Sequence, residues 1–100
     1  MALRVGLLGG AAGPVSSPLT AGVSVAATKA RGIRAATVSD TYTAHQSVEH
    51  DDVNVMCIGA QIVGAWLAKD LITAYLGAEF STDPDFRRRV AKLHEMDAQP

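Results

Sequence analysis

The run VNVMCI, residues 53–58, limits the fold more than any other feature of the chain. It is apolar at every position but Asn54, with Asp51 and Asp52 before it and Gly59 after it. A run this short and this continuous reads as a strand covered on both faces. Such strands belong to parallel sheets with helices above and below. Two weaker runs fit the same plan. RVGLL, residues 4–8, predicts a short buried strand, and IRAATV, residues 33–38, predicts a second one.

Helical signals fill the intervals. Residues 22–29, GVSVAATK, start a helix despite their β-branched content, and Gly32 breaks it. Ser39 and Asp40 offer an N-cap for a helix over residues 41–49. In residues 64–76, GAWLAKDLITAYL, Leu67, Leu71 and Tyr75 recur every fourth position beside Ala68 and Ile72, giving one apolar helical face. Thr82 or Asp83 caps a last helix from Pro84 to Met96, with Val90, Leu93, Phe86 and Met96 as a thin apolar stripe; residues 97–100 read as a frayed tail. Strand, helix, strand, helix, strand, helix is an α/β layer with parallel strands. A sheet of three strands has open edges and calls for more chain or a partner.

Charge and cysteine content narrow the function. Nine basic against ten acidic side chains give a net charge of −1, which offers no case for nucleic acid. The single cysteine, Cys57, lies inside the apolar run, so it reads as an inert core thiol with no disulfide partner and no metal-type spacing. A reducing cytoplasmic setting is the default. No apolar run is long enough to span a membrane, and MALRVGLLGGAAG is too glycine-rich for a signal peptide.

Three features invite chemistry. His50 closes a helix just before the 53–58 strand, at the amino end of that strand rather than in the usual crevice at the carboxyl ends. It reads as a helix-end histidine, or as a proton carrier, since imidazole titrates near neutrality. Arg87, Arg88 and Arg89 point about 100° apart on a helix and form no single patch. Arg88 shares a face with Lys92, and Asp85 and Arg89 are spaced for an i,i+4 pair. One of the three could instead hold a phosphate through its planar fork. The Gly-rich residues 9–22 could cradle an anion, but Gly9, Gly10 and Gly13 miss the dinucleotide spacing and no P-loop ending follows. Ser16, Ser17 and Thr20 read as turn hydroxyls.

Taken together, GVSVAATKARGIRAATVSDTYTA (22–44), VEHDDVNVMCIGAQIVGAWLAKDLITAYLGAEF (48–80) and RRRVAKLHEM (87–96) resemble one family, in order and nearly without gaps. It is the ribose 5-phosphate isomerase B and galactose 6-phosphate isomerase group of aldose–ketose isomerases. Thr28, in AATK, is similar to the galactose 6-phosphate branch. The resemblance implies a Rossmann-like three-layer αβα fold with a small parallel sheet, lacking the family's first βα unit. It implies a sugar-phosphate substrate, no cofactor and no metal. It also implies a homodimer, or a heteromer with a full-length homologue, whose active sites lie between subunits.

By the same resemblance His50 assists sugar ring opening and Arg89 binds phosphate. Asp51 stands where an Asn usually binds substrate. Gly22 matches the last glycine of the loop whose N–H groups stabilise an enediolate. Ser17 takes the position of the family's proton-abstracting Cys in a gapless match, whereas matching GLLGGAAG to that strand and loop puts Gly9 there. Val23 stands where some members carry a Glu. The expectation is an N-terminally truncated or degenerate member: residues 1–21 an atypical leader and Gly/Pro-rich loop, residues 22–96 the isomerase-like domain, residues 97–100 a tail. Its activity is expected to be aldose–ketose isomerisation through an enediolate; the alternative is a catalytically inactive binding or assembly subunit, or a truncated fragment.

Overall fold

The structure is a computed structural model, and it describes residues 5–9, 21–59 and 62–99. Strands β1 (Val5–Gly9), β2 (Ala35–Thr37) and β3 (Val55–Ile58) form a parallel sheet in the order β1-β3-β2. β3 is therefore central. Val5 pairs with Val55 and Gly9 with Ile58 on one side, with an irregularity between Val5 and Leu7; Ala35 to Thr37 pair with Val55 to Cys57 on the other. Among the described residues the helices are α1 (Ala21–Thr28), α2 (Thr41–Asp51), α3 (Ala65–Gly77) and α4 (Pro84–Ala98).

All four residues of β3 are buried, as its continuous apolar composition requires. Alternation sends them to two different layers. Met56 and Ile58 join Ala36, Val38, Ala44, Val48, Leu71 and Tyr75 in the main core beneath α2 and α3. Val55 and Cys57 pack with Ile33 and Ala35 on the other face, where α1 contacts β2 and β3. The α3 face is narrower than the fourfold repeat predicts. Leu71 and Tyr75 are buried and Ala68 and Ile72 half-buried, but Leu67 is exposed and Trp66 is 83% exposed.

Two expected strands each start two residues later in the structure, for one reason. Residues 53–54 are taken up by the helix-to-strand turn: Val53 N–H donates to the Ser47 carbonyl, and Asn54 N–H to the Arg34 carbonyl. Asn54 answers from its side chain, with Oδ1 accepting from Arg34 N–H at 2.8 Å and Nδ2 donating to the Gly32 carbonyl at 2.7 Å. Asp52, just before this turn pair, is left-handed at φ 50°, a conformation that Asp tolerates better than most residues. Arg34 clamps it, with Nε to its carbonyl at 2.7 Å and Nη2 to its carboxylate at 3.2 Å.

The helix starts follow the sequence. Asp40 caps α2, its Oδ1 accepting from Thr43 N–H at 2.7 Å and Oδ2 from the Thr43 hydroxyl at 2.8 Å. Asp83 caps α4 with Pro84 in the first turn. At the other end α4 runs two residues past Met96, to Ala98, so Asp97 is helical rather than frayed. It is held there by Gly32 N–H donating to Asp97 Oδ2 at 3.0 Å and Arg31 Nη2 donating to the Gln99 carbonyl at 3.0 Å. No helix among the described residues is long and apolar enough to cross a membrane.

Two measurements check this packing. Leu71→Ala removes a fully buried side chain and is expected to cost about 2–5 kcal/mol in urea unfolding. Trp66→Ala should stay within roughly 0.5 kcal/mol of wild type, and equal losses at the two positions would contradict the assigned α3 face. The cap supplies the pH test. Hydrogen bonds from the Thr43 backbone and hydroxyl hold the Asp40 carboxyl below its ordinary value of 3.8. A depressed carboxyl stabilises above its unfolded pKa and loses that contribution as pH falls through its folded pKa. The melting-temperature gap between wild type and Asp40→Ala should be full at neutral pH and close as the solution is acidified below 3.8; a gap that persists at low pH would contradict the cap.

Candidate active site at the α2–α4 junction

The last turn of α2 and the first turns of α4 meet at the amino end of the sheet. They are joined before any side chain is considered, because Ser81 N–H, just ahead of α4, donates to the Glu49 carbonyl at 2.9 Å. That bond delivers Phe86 to His50. The two rings stack with centroids 4.0 Å apart and 10° between their planes. One turn along α4, Arg89 sets its guanidinium 5.9 Å from the centroid of the same Phe86 ring. His50 and Arg89, thirty-nine positions apart in the chain, are thus brought to one aromatic side chain.

An acidic neighbour stands beside the imidazole. Glu49 places Oε1 3.5 Å from His50 Nε2 and Oε2 2.7 Å from His45 Nε2. One carboxylate therefore touches two histidines. The His50 side chain is 28% exposed, half-buried rather than free in solvent. Its place in the last turn of α2 also suits the helix dipole.

The three arginines divide as their spacing dictates, with one correction. Arg87 donates to the Ser81 carbonyl at 2.8 Å and covers the Phe80 ring at 4.7 Å. The expected Asp85–Arg89 pair is replaced by Asp85–Arg88 at i,i+3, 2.8 Å. Both members of that pair are well exposed, so it contributes little to stability. The exchange leaves Arg89 with no carboxylate partner among the described residues, and its planar fork is open to an anion.

The remaining site residues lie elsewhere. Asp51, the last residue of α2, is exposed. It lines a groove of about 690 Å³ shared with Val25 and Thr28 of α1, Ala36 of β2, and Leu93 and Met96 of α4. Gly22 sits in the first turn of α1, where helix N–H groups lack intrahelical acceptors. α1 ends against the start of β2, where the Thr28 hydroxyl accepts from Ala35 N–H. Its first turn is therefore at the carboxyl end of the sheet, opposite His50 and Arg89. Ser17 lies outside the described residues. Cys57 is fully buried, and burial pushes its thiol pKa up, so it is no nucleophile. Among the described residues no cluster of His, Cys, Asp and Glu could hold a metal ion.

Sequence reasoning missed Phe86 as a site residue, placing it only in a core stripe. Nothing in the local sequence links it to His50, because the contact is tertiary. The Glu49 clasp was more accessible, since His45 and Glu49 stand at i,i+4 on one helix face.

Comparison with known proteins gives this geometry its setting. Residues 16–93 match the Ribose/Galactose Isomerase family. The ribose-5-phosphate isomerase B of Escherichia coli is 46% identical over 59 residues, covering 59% of this chain and 40% of that protein. The galactose-6-phosphate isomerase subunit LacB of Clostridium acetobutylicum is 32% identical over 75 residues, covering 75% of this chain and 43% of its own. Among solved structures, the type B ribose 5-phosphate isomerase of Trypanosoma cruzi superposes with a TM-score of 0.83 at 31% identity, over 96% of this chain and 59% of that one. This likeness carries the Rossmann-like αβα fold. The chain spans well under half the length of the curated relatives named here. On the match of residues 16–93 and on the shared fold, it belongs to the Ribose/Galactose Isomerase family.

Proposed function

We propose that this chain works in aldose–ketose isomerisation of a sugar phosphate, with ribose 5-phosphate the first candidate substrate. The observation that carries the reading is the meeting of His50 and Arg89 on the Phe86 ring in a member of this family. An imidazole and a guanidinium without a carboxylate partner among the described residues, both placed near one ring, suit a phosphorylated sugar. Arg89 takes the phosphate through charge-assisted hydrogen bonds. His50 moves a proton between the anomeric hydroxyl and the ring oxygen, opening the ring. A base then removes the proton on the carbon next to the aldehyde. The resulting enediolate is held by N–H groups in the neighbourhood of Gly22, and it is reprotonated on the adjacent carbon to give the ketose. The Ser17 position is the one assigned to that base, and Asp51 is assigned to substrate hydroxyls. No cofactor enters the scheme.

Placement supports a site completed by another subunit. Gly22 and the His50–Arg89 pair lie at opposite ends of one sheet, so a single chain does not gather them. The exposed Ile62 ahead of α3 and Trp66 in its first turn offer an apolar surface of the kind that subunit contacts cover. The reading therefore includes a dimer or a heteromer, in a reducing cytoplasm where the buried Cys57 thiol persists.

A second reading has its own support. One relative is named as a subunit of a galactose-6-phosphate isomerase, and a non-catalytic assembly role fits the resemblance, which assigns the base position to Ser17, a poor base, or to Gly9, which is none. Turnover separates the two. The isomerase reading predicts that the purified chain converts ribose 5-phosphate, and that His50→Ala lowers the rate by about 10²-fold or more. Galactose 6-phosphate and a tetrose phosphate serve as the alternative substrates. Turnover that appears only on mixing with a full-length relative, above the relative's own rate, assigns the assembly role. No contribution in either setting contradicts both.

A further inference from the structure

We infer that Phe86 is a positioning residue, whose ring fixes the imidazole of His50 and the guanidinium of Arg89 in one spatial relationship. The inference rests on the reading of those two groups as the site's proton carrier and phosphate ligand. Three observations support it. First, the stack on His50 is close and nearly parallel, 4.0 Å and 10°. Two isolated rings prefer an offset or edge-on meeting. Here the bond from Ser81 to the end of α2 sets the approach of the two backbones. A face held this close stops rotation of the imidazole about its own bond, which keeps Nε2 on the side of Glu49 Oε1, 3.5 Å away.

Second, Phe86 and Arg89 are three apart on α4 and therefore neighbours on one helix face. The ring gives the guanidinium a surface to rest on at 5.9 Å while leaving its N–H groups unpaired by any carboxylate among the described residues. Third, the two contacts share one ring. The ring therefore stands as a common reference for the imidazole at 4.0 Å and the guanidinium at 5.9 Å, and a sugar phosphate gripping both must match the spacing that it sets. Leucine at this position would keep the apolar bulk but offer no flat face, whereas tyrosine would keep the face. A group held ready in its working geometry loses less freedom when substrate binds.

The test is nuclear magnetic resonance of the histidine side chains, of which the chain has three, with His50 assigned by His50→Gln. The wild-type His50 ring protons should lie upfield, shielded by the Phe86 face, and should move on titration with ribose 5-phosphate. Phe86→Tyr should preserve both effects. Phe86→Leu, with its fold checked by circular dichroism, should lose the upfield displacement and weaken ribose 5-phosphate binding by roughly threefold to tenfold, the loss of one aromatic contact. If Phe86→Leu keeps the wild-type shift, or loses the shift yet binds with unchanged affinity, the ring is packing only and the inference is overturned while the proposed function stands. If the wild-type His50 signals ignore ribose 5-phosphate, the proposed function fails and takes the inference with it.

Discussion

The absence of a solvent-facing side on β3 governs the rest of this molecule. Val55, Met56, Cys57 and Ile58 are all buried, alternately toward α1 and toward α2 and α3. A strand of that composition is stable only between two helical layers, and parallel pairing on both edges follows from the helical crossovers that build those layers. α2 must end beside the amino terminus of β3, with only residues 52–54 to reverse direction. The left-handed Asp52, gripped by Arg34 through both backbone and carboxylate, makes so short a reversal feasible. The position of His50 is a consequence. It sits one turn from that fixed corner, where a core demand and a turn demand leave the backbone little freedom.

α4 completes the arrangement. It is pinned near its start by Ser81 to Glu49 and at its end by Asp97 to Gly32 and Arg31 to Gln99. A helix fixed at two distant points cannot slide along α2, so Phe86 and Arg89 keep their register against His50. Between those anchors only Val90 is fully buried, while Leu93 and Met96 remain largely exposed beside the groove lined by α1. Polar anchoring at the ends, rather than a broad apolar seam, holds this helix.

Much of this was legible in the sequence because it depends on local chemistry. Residues 55–58 of the continuous apolar run, the Asp40 and Asp83 caps, Pro84 and the break at Gly32 each act through a few neighbouring atoms, and each stands where the residues indicate. Misreadings arose where tertiary contacts decided the outcome. Val53 and Asn54 look like strand but are recruited to the turn by Ser47 and Arg34. Leu67 keeps helical spacing with Leu71 but finds no layer above it. Asp85 chose Arg88 over Arg89, since both lie within reach on the helix and periodicity does not rank them. His50 and Arg89 entered as site residues through family resemblance, and Phe86 entered only through the fold.

The fold thus sets two groups of residues at opposite ends of a thin sheet: the first turn of α1 with Gly22 at one end, and His50, Phe86 and Arg89 at the other. The central claim is that this second group is where a sugar phosphate is gripped. A crystal structure of the chain grown with ribose 5-phosphate tests it most directly. The account predicts the phosphate on the Arg89 guanidinium and the sugar hydroxyls within hydrogen-bond reach of the His50 imidazole. A sugar phosphate bound only in the α1–α4 groove, or with its phosphate held by Arg87 or Arg88 and His50 untouched, would contradict it.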